Sequence, residues 1–272
     1  MLKKLAKTLI EPFPQVAHLY RSLRDQSDRN QPALPTQWGF TFAGHNAMAS
    51  GDFEPEETRL LQDLLQEVDT LVNIGANVGY YCCHALSLGK RVIAVEPIAR
   101  NVHYLLKNIR DNGWANQAEV YPIALGQTTD ILEIYGGNTG ASLVRGWASI
   151  PDSYATQVPI LTLDRLLGTT LENHRALILV DIEGAEYAML QGAMATLSHQ
   201  PRPIWMVEIS TTEHQPAGTP FNPNFQATFY LFFAHHYQAF TAENPPQPIS
   251  RERVAQVTTG QLQLSTHNFI FS

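Results

Sequence analysis

The chain has 272 residues, 44% of them hydrophobic and 10% aromatic, enough for one large α/β domain or for such a domain with an N-terminal extension. Its 18 Lys and Arg stand against 25 Asp and Glu, a net charge of −7, which leaves neither the basic footprint of a nucleic-acid partner nor the basic segment that anionic lipid attracts. The two cysteines, Cys82 and Cys83, are adjacent and poor disulfide partners, and no run of eighteen apolar residues occurs, so the expectation is a reduced, cytoplasmic protein without a membrane span.

The first residues, MLKKLAKTLIEPFP, are too short and too interrupted for a signal-peptide core; they suit a small amphipathic helix packed on the domain. Turn signals at Pro32, Pro35, Gly39, Gly44 and Gly51 mark residues 1–51 as an extension or cap, with residues 52–272 as the main domain. A helix then carries Leu60, Leu61, Leu64, Leu65 and Val68 on one side. From there strands and helices alternate. LVNIG (71–75) reads as a buried strand, 78–88 as a helix ended by Gly89, RVIAVEP (91–97) as a strand halted by Pro97, and 99–112 as a helix stopped by Gly113. AEVYPIALG (118–126) reads as a third strand, ILEIY (131–135) and VPILTLDRLL (158–167) as an inserted strand pair with a short helix. ALILVDIEG (176–184) and PIWMVEIS (203–210) complete the core strands, with a helix to about 197 between them and two late strands at 237–242 and 267–272. Alternating strands and helices imply an α/β fold with a mostly parallel sheet and helices on both faces.

Ligands of such sheets bind beyond the carboxyl ends of the strands. There the chain places Asn73 to Gly79, Glu96, Asp181 to Glu183, and Glu208. The loop Gly75-Ala76-Asn77-Val78-Gly79 lacks the Gly-x-Gly-x-x-Gly spacing that cradles a pyrophosphate, yet offers glycines where backbone must pass close to a ligand. Glu96, closing the next strand, can accept from both hydroxyls of a ribose. The pair suggests a nucleoside without a pyrophosphate; an acid in that place also serves as a helix cap.

The ordered blocks NIGANVGYY, VIAVEP, IALG, LTLDRLL, LVDIEGAEYAMLQGA and VEIS, from GDFEPEE at residue 52 to the C-terminal HNFIF, resemble the FkbM family of S-adenosylmethionine-dependent methyltransferases. The resemblance implies a class I methyltransferase (Rossmann-like) fold: seven strands, mostly parallel, the last antiparallel, preceded here by an N-terminal helical extension. It implies O-methylation, with a sugar, glycoside, glycolipid or other small hydroxylated metabolite as acceptor. Carried over by position, it assigns Gly75, Ala76, Asn77, Gly79 and Tyr80 to the methionine end of S-adenosyl-L-methionine. Glu96 falls to the ribose, Pro97, Ile98, Ile123 and Ala124 to the adenine, and Asp181 to the neighbourhood of the methyl group. The family has Asp where this chain has Asn73; the lost charge predicts cofactor affinity weaker by roughly tenfold.

Methyl transfer from a sulfonium is an in-line displacement, and a hydroxyl acceptor gains from a base that takes its proton. Asp181, Glu183 and Glu208 end two strands expected to be neighbours, so one of them can serve as base or acceptor-positioning group, with His214 a further candidate. Each also has a plain structural alternative: Asp181 and Glu183 as helix caps, Glu208 as partner of a buried amide, His214 as an exposed loop residue. One acid per strand end is a weak signal for magnesium, and no metal residue is assigned. Residues 136–142 (GGNTGAS) suit a loop that closes over the acceptor, and Trp114 and Trp147 suit either a stacking surface for a sugar or burial in the core. Acceptor contacts are expected from the extension before residue 52 and from the loops at 136–157 and 211–225. The rival readings are a nicotinamide-dependent oxidoreductase and a non-catalytic cofactor-binding module. The acceptor and the oligomeric state are not written in the sequence.

Overall fold

The computed structural model describes residues 31–137 and 139–272; the expected amphipathic helix at the N-terminus lies outside them. The chain opens with a short hairpin, β1 (Leu34–Pro35) and β2 (Thr41–Phe42), followed by α1 (Asn46–Ser50) and α2 (Pro55–Leu65). The described part of the extension is thus a hairpin and one helical turn and a half, not mainly helix; its prolines and glycines favour turns over helix.

The core alternates as the sequence predicts: β3 (Thr70–Ile74), α3 (Tyr80–Ser87), β4 (Arg91–Val95), α4 (Ala99–Asp111) and β5 (Ala118–Tyr121). The run expected as one third strand is split. β5 ends at Tyr121, and β6 (Ala124–Leu125) leaves for a second sheet with β7 (Asp130–Tyr135) and β8 (Ala155–Leu161). Pro122, which has no amide hydrogen to give a ladder, lies at the break. The chain continues through α5 (Leu163–Leu167), β9 (Ala176–Val180), α6 (Glu186–Gln191), α7 (Met194–Leu197) and β10 (Ile204–Glu208). It closes with α8 (Phe225–Ala234), β11 (Ala239–Thr241), β12 (Pro248–Ile249), α9 (Arg251–Thr258) and β13 (Asn268–Phe271).

The main sheet has the order β12-β11-β13-β10-β9-β3-β4-β5. β10, β9, β3, β4 and β5 are parallel, and β13 pairs antiparallel with both β10 and β11. Eight strands stand where seven were expected, because the two residues of β12 add an edge to β11.

Side chains alternate across a strand, so each core strand feeds two hydrophobic layers. Val72, Ile74, Ile178, Val180, Trp205 and Val207 pack with α5, α6, α8 and α9. Leu71, Val92, Ala94, Leu177, Leu179 and Met206 pack with α2, α3 and α4. A third cluster joins the cap to the domain: Phe40, Phe42 and Met48 against Tyr80, Cys83 and Tyr104.

Candidate active site

From β3 the chain winds outward through β4 and β5; with β9 it returns to the other side of β3 and winds the opposite way. Between β3 and β9 the loops after the strands part, which opens a crevice at the carboxyl ends. A cavity of about 280 Å³ lies there. Its wall includes Gly75 and Asn77 after β3, Glu96, Pro97 and Ile98 after β4, Ile123 and Ala124 after β5, Asp181 and Glu183 after β9, and Glu208 at the end of β10.

The bend after β3 is held by its backbone. The amides of Gly75 and Ala76 both donate to the Val95 carbonyl at 3.0 Å. Gly75 has φ +86, and a Cβ on it would fall 1.8 Å from the Asp181 carbonyl oxygen, so only glycine lets the two strand ends approach this closely. Glu96 is nearly fully buried. Its Oε2 accepts from the Asn77 amide at 2.8 Å, and its Oε1 from the Ile98 amide at 2.8 Å and from Asn101 Nδ2 at 3.2 Å. Burial pushes its pKa up and these donors oppose the shift.

At the other end of the cavity acids converge. Asp181 follows β9 and Glu208 ends its paired strand β10, and both line the same end of the cavity, where two carboxyl groups so placed do not both ionise readily. Burial, then the neighbouring Glu208 and Glu183, hold Asp181 well above the usual carboxylate range. Burial, then Glu183 and Glu186, push Glu208 up to about 8. Glu183 adopts left-handed backbone, φ +56, and its Oε2 accepts from the indole Nε1 of Trp147 at 2.7 Å. Ser142 Oγ donates to the Glu183 carbonyl at 2.5 Å. The 139–150 segment is therefore fastened beside Glu183, and Thr139, Gly140, Ala141 and Leu143 add to the cavity wall.

Several expected site residues stand elsewhere. Asn73 projects onto the α3 face, where its Nδ2 donates to Cys82 Sγ at 3.3 Å and its Oδ1 is buried without a partner. Ala76 is buried in the layer beneath α2 and α3. Gly79 lets α3 approach α4, since a Cβ there would meet Leu105 at 2.5 Å. Tyr80 belongs to the cap cluster, its hydroxyl 3.1 Å from Thr58 Oγ1. His214 is exposed, with its ring 6.1 Å from Trp147, and does not line the cavity. Trp114 packs at the cap beside Phe40, and Trp147 is buried against Gly184, so neither lines the cavity as a stacking surface.

Three wall residues were not named in advance: His45, from the extension before residue 52 that was expected to touch the acceptor, and Phe53 and Glu54, which follow it. Glu54 also has left-handed backbone, φ +41, and its carboxylate accepts from the Tyr81 hydroxyl at 2.5 Å. Its place in the GDFEPEE block was the available signal. Asn101, in the first turn of α4, is another unassigned wall residue. Among the described residues, no group of three or more His, Cys, Asp or Glu is arranged to hold a metal ion.

A parallel sheet with this strand order, a glycine bend after its first core strand and a buried acid closing the second define a Rossmann-like nucleoside-binding domain of the class I methyltransferase type. The model of the methyltransferase FkbM domain matches residues 73–239, more than half of the chain, and the chain belongs to the FkbM methyltransferases. The cofactor of this family is S-adenosylmethionine, which sets the nicotinamide reading aside. Among solved structures, the chain is similar to methyltransferase FkbM from Methylobacillus flagellatus KT, with 15% identity over 94% of this chain and a TM-score of 0.42. It spans 60% of that structure's length. It is also similar to an O-methyltransferase from Bacillus cereus in complex with SAH, with 14% identity, 82% of this chain and 83% of that one covered, and a TM-score of 0.44. No curated protein matches the chain.

The cavity fits this cofactor on its own chemistry. It has a close backbone passage at Gly75, hydrogen-bond acceptors at Glu96 beside apolar Ile98 and Ile123, and carboxyl groups that suit a cation.

Proposed function

We propose that this chain methylates a hydroxyl oxygen on an uncharged small acceptor, a sugar or glycoside, with S-adenosylmethionine as donor. The bound cofactor supplies an electrophilic methyl group; the protein's part is placement and proton transfer. Gly75, Asn77 and Glu96 would hold the methionine and ribose parts, and Ile98, Ile123 and Ala124 the adenine.

The observation that carries the reading is the convergence of Asp181 and Glu208, from the ends of paired strands, at the acidic end of the cavity. A hydroxyl is too weak a nucleophile unless its proton leaves as the new bond forms, and a carboxylate whose pKa has been raised toward neutrality is a stronger base for it. The pair takes the proton of the acceptor while the C–O bond forms. Glu183, committed to the Trp147 indole, positions the 139–150 segment beside the cavity. Glu54, Asp181, Glu183 and Glu208 make the wall acidic, and no Lys or Arg is among its described residues, which favours neutral acceptors over phosphorylated or carboxylated ones.

The test is a methyl-transfer screen over free sugars, glycosides, glycolipids and phosphosugars, read as S-adenosylhomocysteine release with the product's methyl position assigned by NMR. A neutral O-methylated product is expected. Asp181→Asn should lower kcat by about 100-fold or more while S-adenosylhomocysteine still binds. Methylation at nitrogen or carbon, or unchanged turnover by that variant, would refute the assignment.

A further inference from the structure

Glu96 alone cannot serve both hydroxyls of a ribose. Its Oε1 already takes two donors, the Ile98 amide and Asn101 Nδ2, which uses both lone pairs of that oxygen. Its Oε2 takes one, the Asn77 amide, and has one lone pair left. A ribose diol brings two donors to a carboxylate with one place free.

The missing acceptor is next to it. Asn101 is 2% exposed and lines the cavity. It is the third residue of α4, where a side chain reaches back toward the chain entering the helix. Its Nδ2 is held by Glu96 at 3.2 Å, and this fixes the amide's orientation, since turning it over would set Oδ1 against the carboxylate. Oδ1 is then buried without a hydrogen-bond partner. A buried acceptor left unpaired is costly and calls for an explanation.

We infer that Asn101 is a cofactor-binding residue whose carboxamide oxygen accepts a hydrogen bond from one ribose hydroxyl of S-adenosylmethionine, while Glu96 Oε2 accepts from the other. This rests on the cofactor reading above. Asn101 thereby acts twice: it orients Glu96 through its nitrogen and reads the sugar through its oxygen. A purely structural Asn101 would do only the first.

Calorimetric dissociation constants for S-adenosylhomocysteine and its 2′-deoxy and 3′-deoxy analogues separate the two roles. The wild-type protein is expected to bind each deoxy analogue about tenfold more weakly than the parent compound. Asn101→Leu should bind the parent about tenfold more weakly. It should lose nothing further when one of the two hydroxyls is removed, and lose the full factor when the other is. Should Asn101→Leu fail to fold, Asn101→Ser enters the same cycle. Equal sensitivity of the variant to both deletions, or wild-type affinity in the variant, overturns the proposal. No binding of S-adenosylhomocysteine to wild-type protein would instead sink the cofactor placement.

Discussion

Asp181 and Glu208 bring two carboxyl groups together with Glu183 at one end of the cavity. Such a pair costs stability once both groups are ionised. Glu208 titrates near 8 in the folded chain against an ordinary 4.5, so the folded state holds a proton that the unfolded state gives up. Its stabilising contribution is complete below about 4.5 and declines as pH rises toward 8. Glu208→Gln should therefore raise Tm at pH 8 by about 3 °C or more and flatten the pH dependence of Tm, while methyl transfer falls. Calorimetry at stepped pH decides it, and a lower Tm at pH 8 would mean the carboxyl is structural. The same protonation predicts that methyl transfer in the wild type climbs with pH through about 8, where Glu208 is half deprotonated, and a rate flat across pH 6–8 would exclude the pair as base.

Among the elements, α3 and α4 both hold the cap: α4 through Asn108 and Asn112, which bond the Thr41 and Ala43 backbone, and α3 through packed rings. His84, on its buried side, meets the edge of Trp38 at 4.5 Å, Tyr80 at 4.7 Å and Phe40 at 5.4 Å. Its Nδ1 pairs with Gln62 Nε2 of α2 at 3.1 Å, and its Nε2 is buried without a partner. Burial pushes its pKa down to about 4 from 6.5, so the folded state keeps the ring neutral while the unfolded chain takes up a proton below 6.5. Stability should be complete above pH 6.5 and decline as the pH falls toward 4. His84→Leu should flatten Tm across that window; an unchanged slope would show that other groups carry the acid sensitivity. The core strands and the helices between them were legible because their apolar residues recur with the periods of strand and helix. α8 was missed. Its FQATFYLFFA is apolar nearly all round, as a helix buried on several sides must be, and shows no one-sided stripe.

At the scale of the molecule, the site belongs to the cap as well as to the sheet. His45 reaches the cavity wall from the cap side, and Phe40, Phe42 and Met48 are buried against Tyr80 and Tyr104. Each such side chain contributes roughly 1.5–3 kcal/mol by burial. We propose that residues 1–51 are not a separable appendage. A chain beginning at residue 52 should melt about 10 °C lower or more, and bind S-adenosylhomocysteine more weakly, because the wall loses His45 and the α3 face is exposed. Wild-type melting and affinity in that truncation would restore the independent-domain reading.

The sequence by itself determined the α/β alternation, the glycine bend after β3, the acid that closes β4 and the carboxylates that end β9 and β10. These are local properties, set by side-chain period and by where a hydrophobic run stops. Only the tertiary structure decided which of those residues face one another. The two-residue period of β3 turns Asn73 inward to Cys82 and away from the cavity. The reversal of strand order between β3 and β9 brings Asp181 beside Gly75 and, with β10 next in line, beside Glu208. The cap delivers His45, and the first turn of α4 delivers Asn101. Those meetings join residues distant along the chain, and no short-range pattern records them, because they follow from how the strands are ordered and how the helices pack on them.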